Sequence, residues 1–142
     1  MEIRKGTEKD VKEIALLYDS LNDYLERHVN YPGWKKGVYP IREDAYYLVD
    51  WNNNFDYDDV WVIYTFAIHP DYLQRGIGRK LLEFVCHHAL ETGMKALRLD
   101  VYEKNTPAIK LYESMGFQYI GTIDLGYSNY RLDSFKLYQK IV

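Results

Sequence analysis

The run Leu73-Gln74-Arg75-Gly76-Ile77-Gly78-Arg79-Lys80 constrains this chain more than any other. It stands between an apolar, β-branched segment ending in Ile68-His69-Pro70 and a helical stripe made by Ile77, Leu81, Leu82, Val85, Ala89 and Leu90. Glycines at that junction mark a strand that turns and a helix that starts. The first N–H groups of a helix have no partner inside it, and the aligned peptide dipoles make that end positive. Glycine lets the main chain approach an anion without a Cβ in the way, and Arg75, Arg79 and Lys80 add fixed charge. Taken alone, Gly-x-Gly fits both a phosphate cradle and a tight turn with no ligand. The dinucleotide fingerprint needs a third glycine where Leu81 stands, and the P-loop needs Gly-Lys-Ser/Thr. Both are excluded.

The rest of the chain reads as alternating strands and helices. Residues 2–5 predict a short strand, and Thr7-x-x-Asp10 resembles a capping box with a shortened acid. Val11, Ile14, Ala15, Tyr18, Leu21 and Leu25 then recur at helical spacing, so a helix runs to about residue 28. Tyr31-Pro32-Gly33-Trp34 breaks it, and a loop follows to residue 42. Strands are expected over 46–51 and 60–68, separated by a polar turn rich in Asn and Asp. After the glycine turn the helix is closed by Gly93, and 96–101 is a strand with Leu97, Leu99 and Val101 on one side. Thr106-Pro107 makes an N-cap and first-position pair for a short helix closed by Gly116. Strands over 117–123 and 135–141 finish the order, which is that of an α/β (α+β) chain with a mixed sheet in a single domain, 1–142.

Composition narrows the function. No apolar run approaches the 18 or so residues of a membrane span, and the N-terminus carries no secretory core, so the expected compartment is the cytoplasm. A net charge of −3 gives no reason to expect a nucleic-acid or anionic-membrane partner. The single cysteine, Cys86, lies mid-helix near the apolar stripe and is expected to be a buried structural thiol. Four histidines and one cysteine make no zinc spacing, so no metal is expected. Fifteen tyrosines supply aromatic surface for half-buried strands, for a ligand groove or for a homodimer interface.

Two segments resemble the GNAT N-acetyltransferase superfamily. One is Ile68-His69-Pro70-Asp71-Tyr72 followed by Leu73-Gln74-Arg75-Gly76-Ile77-Gly78. The other is Asn105-Thr106-Pro107-Ala108-Ile109-Lys110-Leu111-Tyr112-Glu113-Ser114-Met115-Gly116-Phe117. The match covers about residues 60–123, with weaker agreement before them. The resemblance implies a GNAT-like fold and an N-acetyltransferase that uses acetyl-CoA. Main-chain groups of Gln74, Arg75, Gly76, Ile77, Gly78 and Arg79 would hold the CoA pyrophosphate. Phe66, Ala67 and Ile68 would bond the pantetheine arm from a splayed strand end. Asn105 would contact the cofactor through its amide, where a turn or cap is the plain alternative. Tyr112 would return a proton to the departing thiolate, where a core aromatic is the plain alternative.

The implied reaction is direct attack of a neutral primary amine, carried by a small molecule or a peptide, on the acetyl thioester. Cys86 has no role in it. Tyr64, His69, Asp100 and Glu103 are the candidate bases. His87 and His88 lie past the glycine turn and are expected to be solvated or packed. Two departures from the family pattern stand out. Leu73 occupies the place where Arg or Gln usually opens the turn. The segment between the first helix and residue 60 is short, so one strand is missing, or is supplied by a partner chain, or has been trimmed near residues 45–46. The rival to catalysis is a silent acyl-CoA-binding or sensing module on the same fold. The acidic run over 50–59 is a solvated loop or a surface that steers cationic amines.

Overall fold

A segment with strand-forming residues becomes a strand only where a partner offers hydrogen bonds, and the computed structural model shows which segments find one. It describes residues 2–34 and 50–142. Among these residues the helices are α1 (Val11–Arg27), α2 (Ile77–Glu91) and α3 (Thr106–Ser114). The strands are β1 (Val60–Val62), β2 (Ala96–Tyr102), β3 (Gln118–Ile123) and β4 (Phe135–Ile141). They form one sheet in the order β1-β2-β4-β3. β1 runs parallel to β2 with α2 as the crossover, and the other pairs are antiparallel. This is the mixed α/β sheet that the sequence predicts. No helix among the described residues is long and apolar enough to cross a membrane.

β2 is the middle of the core. Leu97, Leu99 and Val101 pack on one face against Leu82 and Ala89 of α2, Ile109 and Tyr112 of α3, Phe117 and Tyr138. Leu82, Ala89 and Leu97 are 0% exposed, and each leucine buried to that degree stabilises the fold by roughly 2–3 kcal/mol. The opposite face carries Tyr102, Phe135 and Leu137, covered by Trp51, Tyr127 and Leu132. Arg98 is buried there at 3% exposure. Its Nε donates to Gln139 Oε1 at 2.9 Å, and its guanidinium lies 4.5 Å from the centre of the Trp51 ring. Gln139 Nε2 in turn donates to the Trp51 carbonyl at 3.1 Å. A buried cation needs such partners, and burial pulls the guanidinium below its ordinary value.

Several expectations are corrected. Residues 2–5 form no strand: no described strand pairs with them, and Arg4 turns instead to Asp10, with contacts of 2.7 and 2.8 Å. The Thr7 N–H donates to the Asp10 carboxylate at 2.6 Å, so the capping pair is real and opens a 3-10 turn ahead of α1. The strand expected over 60–68 pairs with β2 only through Val62, with one further bond from the Ile63 N–H to the Arg98 carbonyl at 2.9 Å. Thr65 then takes a left-handed φ of 52° and ends the extended run. Leu90 is 61% exposed rather than part of the core stripe. The strand expected over 46–51 lies outside the described residues except for Asp50 and Trp51, which are not in a strand. The shortened segment falls largely on residues 35–49, also outside them.

Candidate active site

The early end of β1 leaves a gap between residues 63–68 and β2, and α2 starts at its mouth. Gly76 caps α2 with φ 72°, and Gln74 is also left-handed at 59°. Two positive-φ residues two positions apart fold the chain back so that the first turn of α2 faces the gap. No acidic residue stands in that turn. Gly76 has open space where a Cβ would be, so backbone conformation alone demands glycine there. Gly78 differs. A Cβ on it would meet Leu111 Cδ2 at 3.3 Å, Phe66 Cε1 at 3.7 Å and Ile68 Cγ1 at 3.8 Å. The second glycine therefore lets α2, α3 and the splayed segment close on one point.

A cavity of about 700 Å³ opens at that point, within the range of small-molecule sites. Phe66, Ala67, Ile68, Gln74, Gly76, Ile77, Gly78, Arg79 and Asn105 all line it, so the structure brings these sequence-predicted residues together. Its far wall comes from the end of α1 and the turn after it, with Leu21, Tyr24, Leu25, Tyr31 and Trp34. Sequence reasoning missed this wall, although the α1 stripe that ends in Leu21 and Leu25 was the available signal. Arg75 does not line the cavity; its guanidinium stacks 5.3 Å from the Tyr72 ring centre. Arg79 reaches away to α3, donating to Ser114 Oγ at 2.7 Å and Met115 Sδ at 3.1 Å. Asn105, rather than Thr106, is the N-cap of α3, its Oδ1 accepting the Ala108 N–H at 3.4 Å. Leu73 also lines the cavity, so the departure at that position puts an apolar side chain on its wall.

Tyr112 is 5% exposed and does not line the cavity. Its ring meets Phe66 edge-on at 6.2 Å and tilts against Phe117 at 5.8 Å. Burial, and then the charge of Asp100, push its hydroxyl well above the usual phenol range. Of the candidate bases, Tyr64 is 48% exposed, and His69 caps a 3-10 turn by accepting the Asp71 N–H at 3.2 Å. Glu103 lies just past β2, and Asp100 is half-buried on it. None of the four lines the cavity, and Asp100 is the one whose charge reaches Tyr112. Cys86 is half-buried against the core, and burial raises its thiol above the ordinary value. His88 is packed between Trp61 and Phe84, at 5.3 and 5.9 Å between ring centres. The described residues contain no group of three His, Cys, Asp or Glu side chains able to hold a metal.

The residues present fit a diphosphate at this mouth. The first turn of α2 has free-facing N–H groups by construction, carries no acid, and is reached through a backbone that a Cβ at Gly78 would crowd.

Comparison with known proteins agrees with this arrangement. The chain is 30% identical over 132 residues to UPF0157 protein YqkA of Bacillus subtilis, covering 89% of this chain and 34% of that protein. It is 41% identical over 59 residues to the [ribosomal protein bS18]-alanine N-acetyltransferase of Escherichia coli, covering 42% of this chain and 40% of the relative. The chain thus spans well under half the length of these curated relatives. The solved structure of the latter enzyme from E. coli superposes with a TM-score of 0.54 and 30% identity over 59% of this chain and 55% of that one. The ribosomal-protein-alanine N-acetyltransferase from Brucella melitensis shares the fold over the full length of both chains, with a TM-score of 0.72 and 21% identity. The family model for the acetyltransferase (GNAT) family matches residues 20–117, and with the cavity at the head of α2 this establishes that the chain belongs to the GNAT acetyltransferase family.

Proposed function

We propose that the chain, as one domain over residues 1–142, transfers an acetyl group from acetyl-CoA to a primary amine of a small molecule or peptide by direct attack. The observation that carries this is the meeting of three elements at one cavity: the left-handed turn at the positive end of α2, the residues 66–68 beyond the sheet, and Asn105. The α2 N–H groups receive the pyrophosphate. Main-chain groups of Phe66, Ala67 and Ile68 pair with the pantetheine amides as an added strand would. When bound, acetyl-CoA supplies the activated thioester, and no protein nucleophile is needed. Tyr112 stays protonated at neutral pH because burial and Asp100 both disfavour the phenolate. A neutral hydroxyl can give a hydrogen bond or proton to a leaving thiolate. Among the candidate bases none lines the cavity, so the amine gives up its proton through water.

The experiment is a melting curve with acetyl-CoA, followed by thiol release across an amine panel. Acetyl-CoA at millimolar concentration should raise the Tm, and absence of any rise sinks the proposal. Tyr112→Phe should lower kcat about 100-fold while the rise in Tm is unchanged. A second reading, a silent acyl-CoA-binding module, draws support from the position of Tyr112 behind Phe66 rather than on the cavity wall. Binding without turnover on any amine would select it.

A further inference from the structure

The end of α1 and the turn behind it wall a second cavity, of about 400 Å³, on which Asn22, Glu26, Trp34, Tyr102, Tyr130 and Leu132 converge. Its backbone is held closely. Asn30 clasps the turn, its Nδ2 donating to the Trp34 carbonyl at 2.7 Å and its Oδ1 accepting the Trp34 N–H at 3.1 Å. Gly33 sits at φ 71°, where a Cβ would lie 2.5 Å from Leu132 Cδ2 and 3.0 Å from Tyr102 Cδ1. On the opposite wall Arg131 is left-handed at 63°, and its carbonyl accepts the Tyr102 hydroxyl at 3.1 Å. Both walls are therefore held by side chain to main chain bonds, from Asn30 on one and Tyr102 on the other.

The lining has a defined chemistry. Asn22 and Glu26 are one helical turn apart on α1, and neither side chain has an ion-pair or hydrogen-bond partner among the described residues. They face a cavity that carries the aromatic side chains of Trp34, Tyr102 and Tyr130. A carboxylate beside aromatic faces is the combination that attracts an organic cation. Lys104 Nζ already stands 5.9 Å from the Tyr102 ring centre, so that ring accepts a cation, and a guest ammonium competes with it there. Leu25 and Trp34 line both this cavity and the larger one. The two cavities therefore adjoin at these residues, and a molecule anchored at Glu26 can reach past them into the larger one.

Resting on the transferase function proposed above, we infer that the second cavity is a recognition site for the far end of the acceptor, and that it selects short aliphatic diamines. One ammonium is held by Glu26 and the rings while the other end, as the neutral amine, attacks. The new N–C bond forms as the thioester C–S bond breaks. The attacking nitrogen gives up one proton and the thiolate takes one from Tyr112, which regains it through water, so CoA leaves as the thiol and no net proton is released.

The test uses the whole chain with acetyl-CoA and two amines, 1,4-diaminobutane and n-butylamine. In thiol release the diamine should show a kcat/KM about tenfold higher, the combined effect of one exposed ion pair and a ring contact. Glu26→Gln should remove that advantage through KM, with the rise in Tm caused by acetyl-CoA retained. With CoA present, the diamine alone should raise the Tm of the wild type and not of the variant, a readout that needs no turnover. Equal use of the two amines, equal losses on both in the variant, or preference for a peptide N-terminus over the diamine overturns the inference and leaves the transferase standing. A wild type whose Tm ignores acetyl-CoA overturns both.

Discussion

α1 and α2 are helices of 17 and 15 residues with comparable apolar stripes, yet they are used very differently. α2 presses Leu82 and Ala89 against β2 until neither is exposed. α1 buries Leu21 and Leu25 near its end, while Val11 and Leu16 stay 60% and 65% exposed. The difference lies in what each helix rests on. α2 crosses between parallel strands and shares a core cluster with β2 and α3, whereas the buried residues of α1 lie near its C-terminal end. The larger cavity is consequently backed by elements of the core, and the smaller one is built on a helix end and a turn.

Three measurements would break or sharpen that contrast. Leu82→Ala should lower the unfolding free energy by about 3 kcal/mol, and Ile14→Ala, at a 41% exposed position, by under about 0.5 kcal/mol. Equal losses in urea denaturation would mean that α1 carries as much of the core as α2. Gly78→Val should come next. It forces branched bulk against Leu111, Phe66 and Ile68, lowering stability by about 1–3 kcal/mol and abolishing the rise in Tm with acetyl-CoA. A stable variant that still responds would show that the three elements close elsewhere. The smallest effect belongs to Asp10. Arg4 and Thr7 hold its carboxyl far below the usual value, so the stabilisation is present at neutral pH and fades as pH falls below about 3.9 and toward the depressed value. Asp10→Asn should show a smaller shift of urea midpoint between pH 7 and pH 3 than the wild type.

Much of the region around α2 and α3 was legible because punctuation and period agree there. Gly76, Gly93, Pro107 and Gly116 bracket α2 and α3 within a residue or so of their bounds, and β4 falls at Phe135–Ile141 as expected. Partnership was not legible. Residues 2–5 and 63–68 have strand-forming composition, but composition does not say whether a neighbouring strand is within reach. Side-chain direction was hidden for a similar reason. Arg75 and Arg79 read from spacing as fixed charge beside the glycine turn, and spacing does not say that Arg75 stacks on Tyr72 or that Arg79 bonds to the end of α3. Asn22 and Glu26 went unnoticed because they lie beside the apolar stripe, where a polar residue normally means solvent.

The seat of Gly33 has a consequence for altering the protein. Gly33 combines a left-handed φ of 71° with a Cβ position that would press on Leu132 Cδ2 and Tyr102 Cδ1, so the turn after α1 packs directly on the β3–β4 loop and the end of β2. Substitutions at Asn22, Glu26 or Tyr130 would change what the smaller cavity admits and leave that packing in place. A larger residue at position 33 would strain that backbone and displace Leu132 and Tyr102, two of the residues that line the cavity. Attempts to alter what this cavity admits should therefore leave position 33 alone and work on Asn22, Glu26 and Tyr130, which line it.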